Sequence, residues 1–216
     1  MIEQIINGIN YRLDEETKTA EVTKKSGGYE GDIIIPDTVV LNDATYRVMS
    51  IRKWAFGKCA SLTSIILPNS VRSIGDFAFC NCSKLSAITI PNSVTSIGEM
   101  AFADCESLTS ITIPDGVTSI GDAAFASCSS LTKIIIPDGV TNIGDCAFRG
   151  CYKPTTIIIP ESVTNIGVWA FWYCNSLTSI TFQGTIAQWK KIELGGGWND
   201  KVPVKEVHCT DGDVEI

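Results

Sequence analysis

Phe56, Phe79, Phe102, Phe125, Phe148 and Phe171 recur every 23 residues without a slip. Cys59, Cys82, Cys105, Cys128, Cys151 and Cys174 each follow three residues behind. A fixed period of that length marks a solenoid, in which each repeat is one coil stacked on the last. A single coil cannot bury its own apolar face, so the chain can fold only as an array. The units are Val48–Ser70, Val71–Ser93, Val94–Gly116, Val117–Gly139, Val140–Ser162 and Val163–Thr185. They share the pattern V-x-S/N-I-G-x-x-A-F-x-x-C-x-x-L-x-x-I-x-I-P, which unit three carries whole from Val94 to Pro114.

The L-x-x-I-x-I stretch predicts a short strand. Ile111 and Ile113 face one side and Thr112 the other, because side chains alternate along a strand. Pro114 closes it, since proline lacks the N–H that a strand interior needs. Asn69-Ser70, Asp115-Gly116 and Asp138-Gly139 then supply turn chemistry. V-T-S-I predicts a second extended piece, and Gly98 and its equivalents are expected to turn the chain. Asp76, Glu99, Asp122 and Asp145 follow that glycine, and acids favour helix N-termini, so A-F-x-x-C is expected to be one short helical turn. At about 4.8 Å per strand, six coils make a rod or arc of about 25–30 Å.

The motif I-G-x-x-A-F-x-x-C-x-x-L-x-x-I-x-I-P resembles the leucine-rich repeats of the Bacteroides-surface-antigen (BspA-like) type. The resemblance covers the six units and extends to the flanks at Gly8-Ile9-Asn10-Tyr11 and from Phe182 to Gly212. It implies a right-handed, parallel-stranded solenoid, mainly β with short helical turns, a cell-surface or secreted setting, and roles in adhesion or protein binding. Three departures stand out. Arg52 replaces glycine in unit one, Pro154 replaces leucine in unit five, where it is expected to loosen packing or raise a bulge, and Phe182-Gln183 replaces Ile-Pro where the array is expected to stop.

An open stack exposes an apolar end unless something covers it. Residues 1–47 are expected to be an N-terminal β cap of the same domain, with Tyr11–Leu13 and Ala20–Val22 flanking a polar turn and Ile33–Ile35 forming a degenerate repeat strand. Residues 48–185 hold the six repeats. Residues 186–216 are expected to form the C-terminal cap: Ile186, Trp189 and Ile192 share one helical face, Gly195-Gly196-Gly197 ends that helix, Val202–Cys209 makes a last strand, and Trp189 and Trp198 plug the stack.

A formal net charge of −7 argues against a nucleic-acid backbone or an anionic membrane as partner. No apolar run approaches the ~20 residues of a membrane span. Met1-Ile2-Glu3-Gln4 lacks the features of a signal peptide. An intracellular protein and one whose signal was removed ahead of an added Met1 both remain open. Six of the nine cysteines share one repeat position and are expected to form a buried ladder of free thiols, Cys being a small, well-buried residue. A serine placed in that ladder is expected to bury a hydroxyl without an assured partner.

The residues carry no recognisable catalytic constellation. The single histidine, His208, would have to serve any triad, and ladder cysteines are expected to be inert. His208 has no spaced Cys or His partner, so no metal site and no cofactor are expected. Function is therefore sought at positions that vary between coils yet align in space. One stripe is the strand face. Its outward row reads Ile66, Thr89, Thr112, Ile135, Ile158, Thr181, and the row beside it Ser64, Ala87, Ser110, Lys133, Thr156, Ser179. Ser110, Thr112, Lys133, Ile135, Thr156 and Ile158 are the candidate contacts for a protein partner, a host or bacterial surface protein. The β preference of branched side chains explains the isoleucines equally well. The other stripe is Tyr152, Trp169, Trp172 and Tyr173, suited to stacking on a glycan, or else packed beneath the C-terminal tryptophans. A spacer that projects another domain is the third reading. Oligomeric state is not legible.

Overall fold

The computed structural model describes residues 1–216 as a stack of parallel-stranded coils with two strand rows per coil and a single short helix. The V-T-S-I pieces form the longer row. Thr19–Val22, Ala44–Ile51, Ser73–Ile74, Ser96–Ile97, Ser119–Ile120, Asn142–Ile143, Asn165–Ile166 and Glu193–Leu194 pair in that order, all parallel. This row is a continuous spine. At its N-terminal end Ile2–Ile6 and Ile9–Asp14 add antiparallel strands, Ile9–Asp14 pairing with Thr19–Val22 across a turn in which Asp14 Oδ1 accepts from Glu16 N and Thr17 N.

The L-x-x-I-x-I strands form the second row, and it is divided. Gly31–Ile34, Leu62–Ile66 and Ala87–Thr89 make one sheet. Ile134–Ile135, Thr156–Ile159, Ser179–Phe182, Glu206–Cys209 and Gly212–Glu215 make the other. Between them Ser110–Ile113 of unit three carries the full motif but enters no strand pairing. Backbone bonds bracket the gap, from Ser107 N to Ser83 O and from Thr132 N to Thr109 O.

The repeat landmarks fill the space between the rows. The six phenylalanines stack face to face, consecutive centroids 5.0–5.7 Å apart and within 7° of parallel. Tyr29 extends the column at one end, 4.7 Å from Phe56, and Trp198 meets Phe171 edge-on at the other. All nine cysteines are free thiols. In the ladder five of the six thiols donate to the phenylalanine carbonyl of the preceding coil: Cys82 to Phe56, Cys105 to Phe79, Cys128 to Phe102, Cys151 to Phe125 and Cys174 to Phe148, at 3.1–3.3 Å, while Cys59 Sγ at the start of the ladder accepts from Tyr29 N. A hydroxyl in this ladder would thus have an acceptor, contrary to the expectation from sequence.

The segment expected to be a helical turn is not helical. The residues two before and two after each phenylalanine have positive φ: Met100 at 51° and Asp104 at 58° in unit three, and Trp54, Phe77, Ala123, Cys146 and Trp169 at the first of these positions elsewhere. The segment is a run of tight turns whose alternate N–H groups leave the coil. Met100, Phe102 and Asp104 donate to the carbonyls of Asp122, Ala124 and Ala126 in the next coil. Three of the four acids accordingly cap the neighbouring coil and not a helix. Asp76, Asp122 and Asp145 each use Oδ1 to accept the N–H of Glu99, Asp145 and Val168, 23 residues on. The glycine before them is needed for close approach and not to turn the chain. A Cβ on Gly98 would lie 2.5 Å from Asp76 N.

Pro154 sits buried ahead of an unbroken strand, Thr156–Ile159, which pairs on both sides with no register shift. Its missing N–H forgoes only the turn bond of the kind Leu108 makes to Cys105, which lies ahead of the strand and outside its ladder. The array also does not stop at Phe182. The only helix, Ile186–Trp189, opens with a Thr185–Gln188 capping box and ends at Lys190, before the glycines. Glu193–Leu194 then joins the spine, and Gly195 takes the repeat glycine's role, its would-be Cβ 2.3 Å from Val168 N. The chain completes one more degenerate coil, with Val207 in register with Ile180, and ends in a hairpin. Trp189 and Trp198 are buried, 5.8 Å apart, against Phe182 and Phe171.

Candidate interaction surface

Strand alternation turns Ile134, Ile157 and Ile180 inward and leaves their neighbours outside. Register then fixes what is adjacent. Ile135 lies beside Ile158 and Ile158 beside Thr181, while Thr156 lies beside Ser179. Ile135 and Ile158 are 46% and 48% exposed, which makes them a bare apolar pair on a rigid sheet. Lys133 and Thr156 are exposed beside them. Ser110 and Thr112 do not join this sheet. They line a groove of about 240 Å³ with Ala87–Ile90, at the gap in the row. The six strand-face candidates therefore fall into a block of four and a pair across the gap.

The N-terminal block has its own exposed apolar pair, Ile34 beside Ile66. Next to it Asp32 accepts hydroxyl bonds from Ser64 at 2.6 Å and Thr63 at 2.7 Å, which hold its carboxyl below the ordinary range.

The aromatic candidates lie on the turn segments. The C-terminal tryptophans do not cover them: Tyr152, Trp169 and Tyr173 are exposed and Trp172 is half-buried. Trp172 is the centre of the group. Trp169 is 5.8 Å away and tilted, Tyr173 4.4 Å away and edge-on, and the Arg149 guanidinium lies 4.8 Å from its ring. Arg149, Tyr152, Trp172 and Tyr173 line a cleft of about 170 Å³. Trp169 and Tyr173 hold positive φ, a conformation that costs a side-chain-bearing residue energy.

The turn segments also carry an outer apolar row that the motif alone does not reveal. Trp54 and Phe77 stack at 4.6 Å, and with Met100 and Ala123 they cover Cys80, Ala103 and Ala126. The signal for it was the recurring apolar character of the position two before each phenylalanine.

The ladder thiols are poor nucleophiles. Burial pushes the thiols of Cys82, Cys128 and Cys174 up to about 12, and those of Cys105 and Cys151 well above their ordinary value. Thiolate is the nucleophile, so these groups are inert. His208 bonds Asp213, and no serine or cysteine side chain bonds to it.

A linear stack of parallel coils with side chains displayed along its faces defines a repeat scaffold. The chain belongs to the BspA type leucine-rich repeat family, which it matches in six copies over residues 41–152 and 95–192. No curated protein sequence matches it. Among solved structures it is similar to the T. pallidum leucine-rich repeat protein, with TM-score 0.77 and 28% identity over 94% of this chain and 91% of that one. It is also similar to a leucine-rich cell surface protein from Faecalibacterium prausnitzii, with TM-score 0.66 and 33% identity over 84% of this chain and 55% of that one. A leucine-rich repeat protein from Bacteroides ovatus aligns with TM-score 0.64 and 29% identity over 96% of this chain and 71% of that one. Leucine-rich repeat proteins are generally interaction or surface modules and typically non-enzymatic. No helix of the chain is long and apolar enough to cross a membrane.

Proposed function

We propose that the protein is a non-catalytic, adhesin-like interaction module at the cell surface, capped by residues 1–47 and 186–216, that grips a protein partner through its strand face. The observation that carries this reading is the Ile135–Ile158 pair, bare, adjacent by register and rimmed by Lys133, Thr156 and Thr181. An apolar centre with a polar rim is the usual anatomy of a protein-binding patch. The test is capture of extracellular-matrix, serum and same-species surface proteins on the immobilised chain, beside the Ile135→Glu/Ile158→Glu double variant. A partner held by the wild type and lost by the folded variant is the expected result. Equal capture by both would remove the strand face from consideration.

The exposed Trp172 group favours a second reading, glycan binding. Aromatic faces stack on sugar rings, and Arg149 supplies a donor beside them. A glycan array probed with wild type and Trp172→Ala separates the two readings. Sugars bound by the wild type alone would favour the aromatic group over the strand face.

A further inference from the structure

The terminal hairpin places the chain's one histidine where the linear sequence gives no hint of partners. Glu206–Cys209 and Gly212–Glu215 pair antiparallel, with His208 opposite Asp213 and Glu206 opposite Glu215. Residues two apart on a strand share a face, as do directly opposed residues. Glu206, His208, Asp213 and Glu215 therefore project together from the outer face, while Val207 is fully buried and Val214 packs on the core behind them. His208 Nδ1 lies 2.9 Å from Asp213 Oδ1. One ligand atom from each of Glu206, His208 and Asp213 falls within 4.8 Å of the other two.

We propose that Glu206, His208 and Asp213 form a binding site for a divalent transition-metal ion such as Zn²⁺. Ligands of a four-coordinate zinc, bonded at ~2.0–2.2 Å, lie about 3.4 Å from one another. The His208–Asp213 pair opens from 2.9 Å, giving up its hydrogen bond and proton to the metal, and any longer spacing closes from at most 4.8 Å, by small rotations of exposed side chains. One imidazole nitrogen with carboxylate oxygens suits zinc and its neighbours better than Ca²⁺ or Mg²⁺, which take all-oxygen sets of six or more. Three protein ligands leave a position for water. Glu215 adds negative charge on the same face.

The frame beneath the site is fixed, which is what a surface metal site needs. Thr181 pairs with His208, tying the hairpin to the second strand row. Its turn is pinned twice: Asp211 Oδ1 accepts from Ile186 N at 2.7 Å, and Thr210 donates to Gly184 O through both N and Oγ1. The strands cannot slip without breaking these bonds and exposing Val207.

Calorimetric titration of the full chain with ZnCl₂ under phosphine reduction tests the proposal. One equivalent is expected to bind the wild type. Affinity should fall by more than about ten-fold in His208→Ala and in Asp213→Asn, since even outer-shell partners of a metal are worth that much. Cys209→Ser and Cys146→Ser, which remove the half-buried thiols, should bind as the wild type does. Because the chain has one histidine, NMR gives a second readout: Zn²⁺ should shift its only imidazole signals. Absence of binding, equal binding by folded His208→Ala, or loss of binding in the Cys209→Ser variant would overturn the site.

Discussion

A cysteine in this fold is both a small apolar plug and a donor. Cys105 Sγ donates to Phe79 O, a carbonyl that also accepts from Cys82 N, so the thiol supplies that oxygen's second bond. Cys105→Ala loses that bond and leaves a cavity between two coils. Thermal or urea unfolding should show a loss of about 1–3 kcal/mol. The buried thiols also set an alkaline limit. Their ordinary value is 9.0, and Cys82, Cys128 and Cys174 stand near 12 in the fold. The unfolded chain ionises first, so the stability they contribute is full below about pH 9 and lost as pH climbs toward 12. Melting temperatures recorded from pH 8 upward should fall beyond pH 9, and less steeply in a Cys128→Ala variant. Thiol labelling at neutral pH should reach Cys146 and Cys209 well before any ladder cysteine. The ladder itself is legible from spacing, but its bond to the previous coil's carbonyl is not, because that contact spans 26 residues.

The elements divide into those a local pattern encodes and those a neighbour imposes. The L-x-x-I-x-I strand is legible because alternation is a property of the strand alone. The glycine-to-cysteine segment is misread as helix because an acid before Ala-Phe looks like a cap. Its left-handed residues are instead fixed by N–H groups that bond the following coil, and the acid caps that coil as well. Asp145→Ala should therefore destabilise the array by about 0.5–2 kcal/mol through the uncapped Val168 N–H, read by chemical denaturation. The adjacency of Ile135 and Ile158 follows from the 23-residue period. The separation of Ser110 and Thr112 from them does not, since unit three has the same motif as its neighbours. The cluster around His208 escapes notice because a turn, and not a fixed spacing, brings Asp213 back to it.

At the scale of the molecule, stability is a sum of coil–coil interfaces, so the ends matter most. Trp198 covers Phe171 and contacts Trp189. Trp198→Ala should cost about 3–5 kcal/mol. The loss should also be directional: hydrogen exchange is expected to accelerate first in units five and six and last near Leu62–Ile66. Uniform acceleration along the chain would show that the array unfolds as one unit and not from its exposed end.

The two strand rows make the rod mechanically unequal. One side is an unbroken run of parallel pairs from Thr19–Val22 to Glu193–Leu194, and the other is interrupted at Ser110–Ile113. Such a body is expected to open more easily at the interruption than along its spine, as a bound book opens opposite its binding. The pairs Ile34–Ile66 and Ile135–Ile158 sit on the two leaves. A ligand long enough to touch both would set the angle between them, so its length as well as its chemistry would govern how tightly it is held.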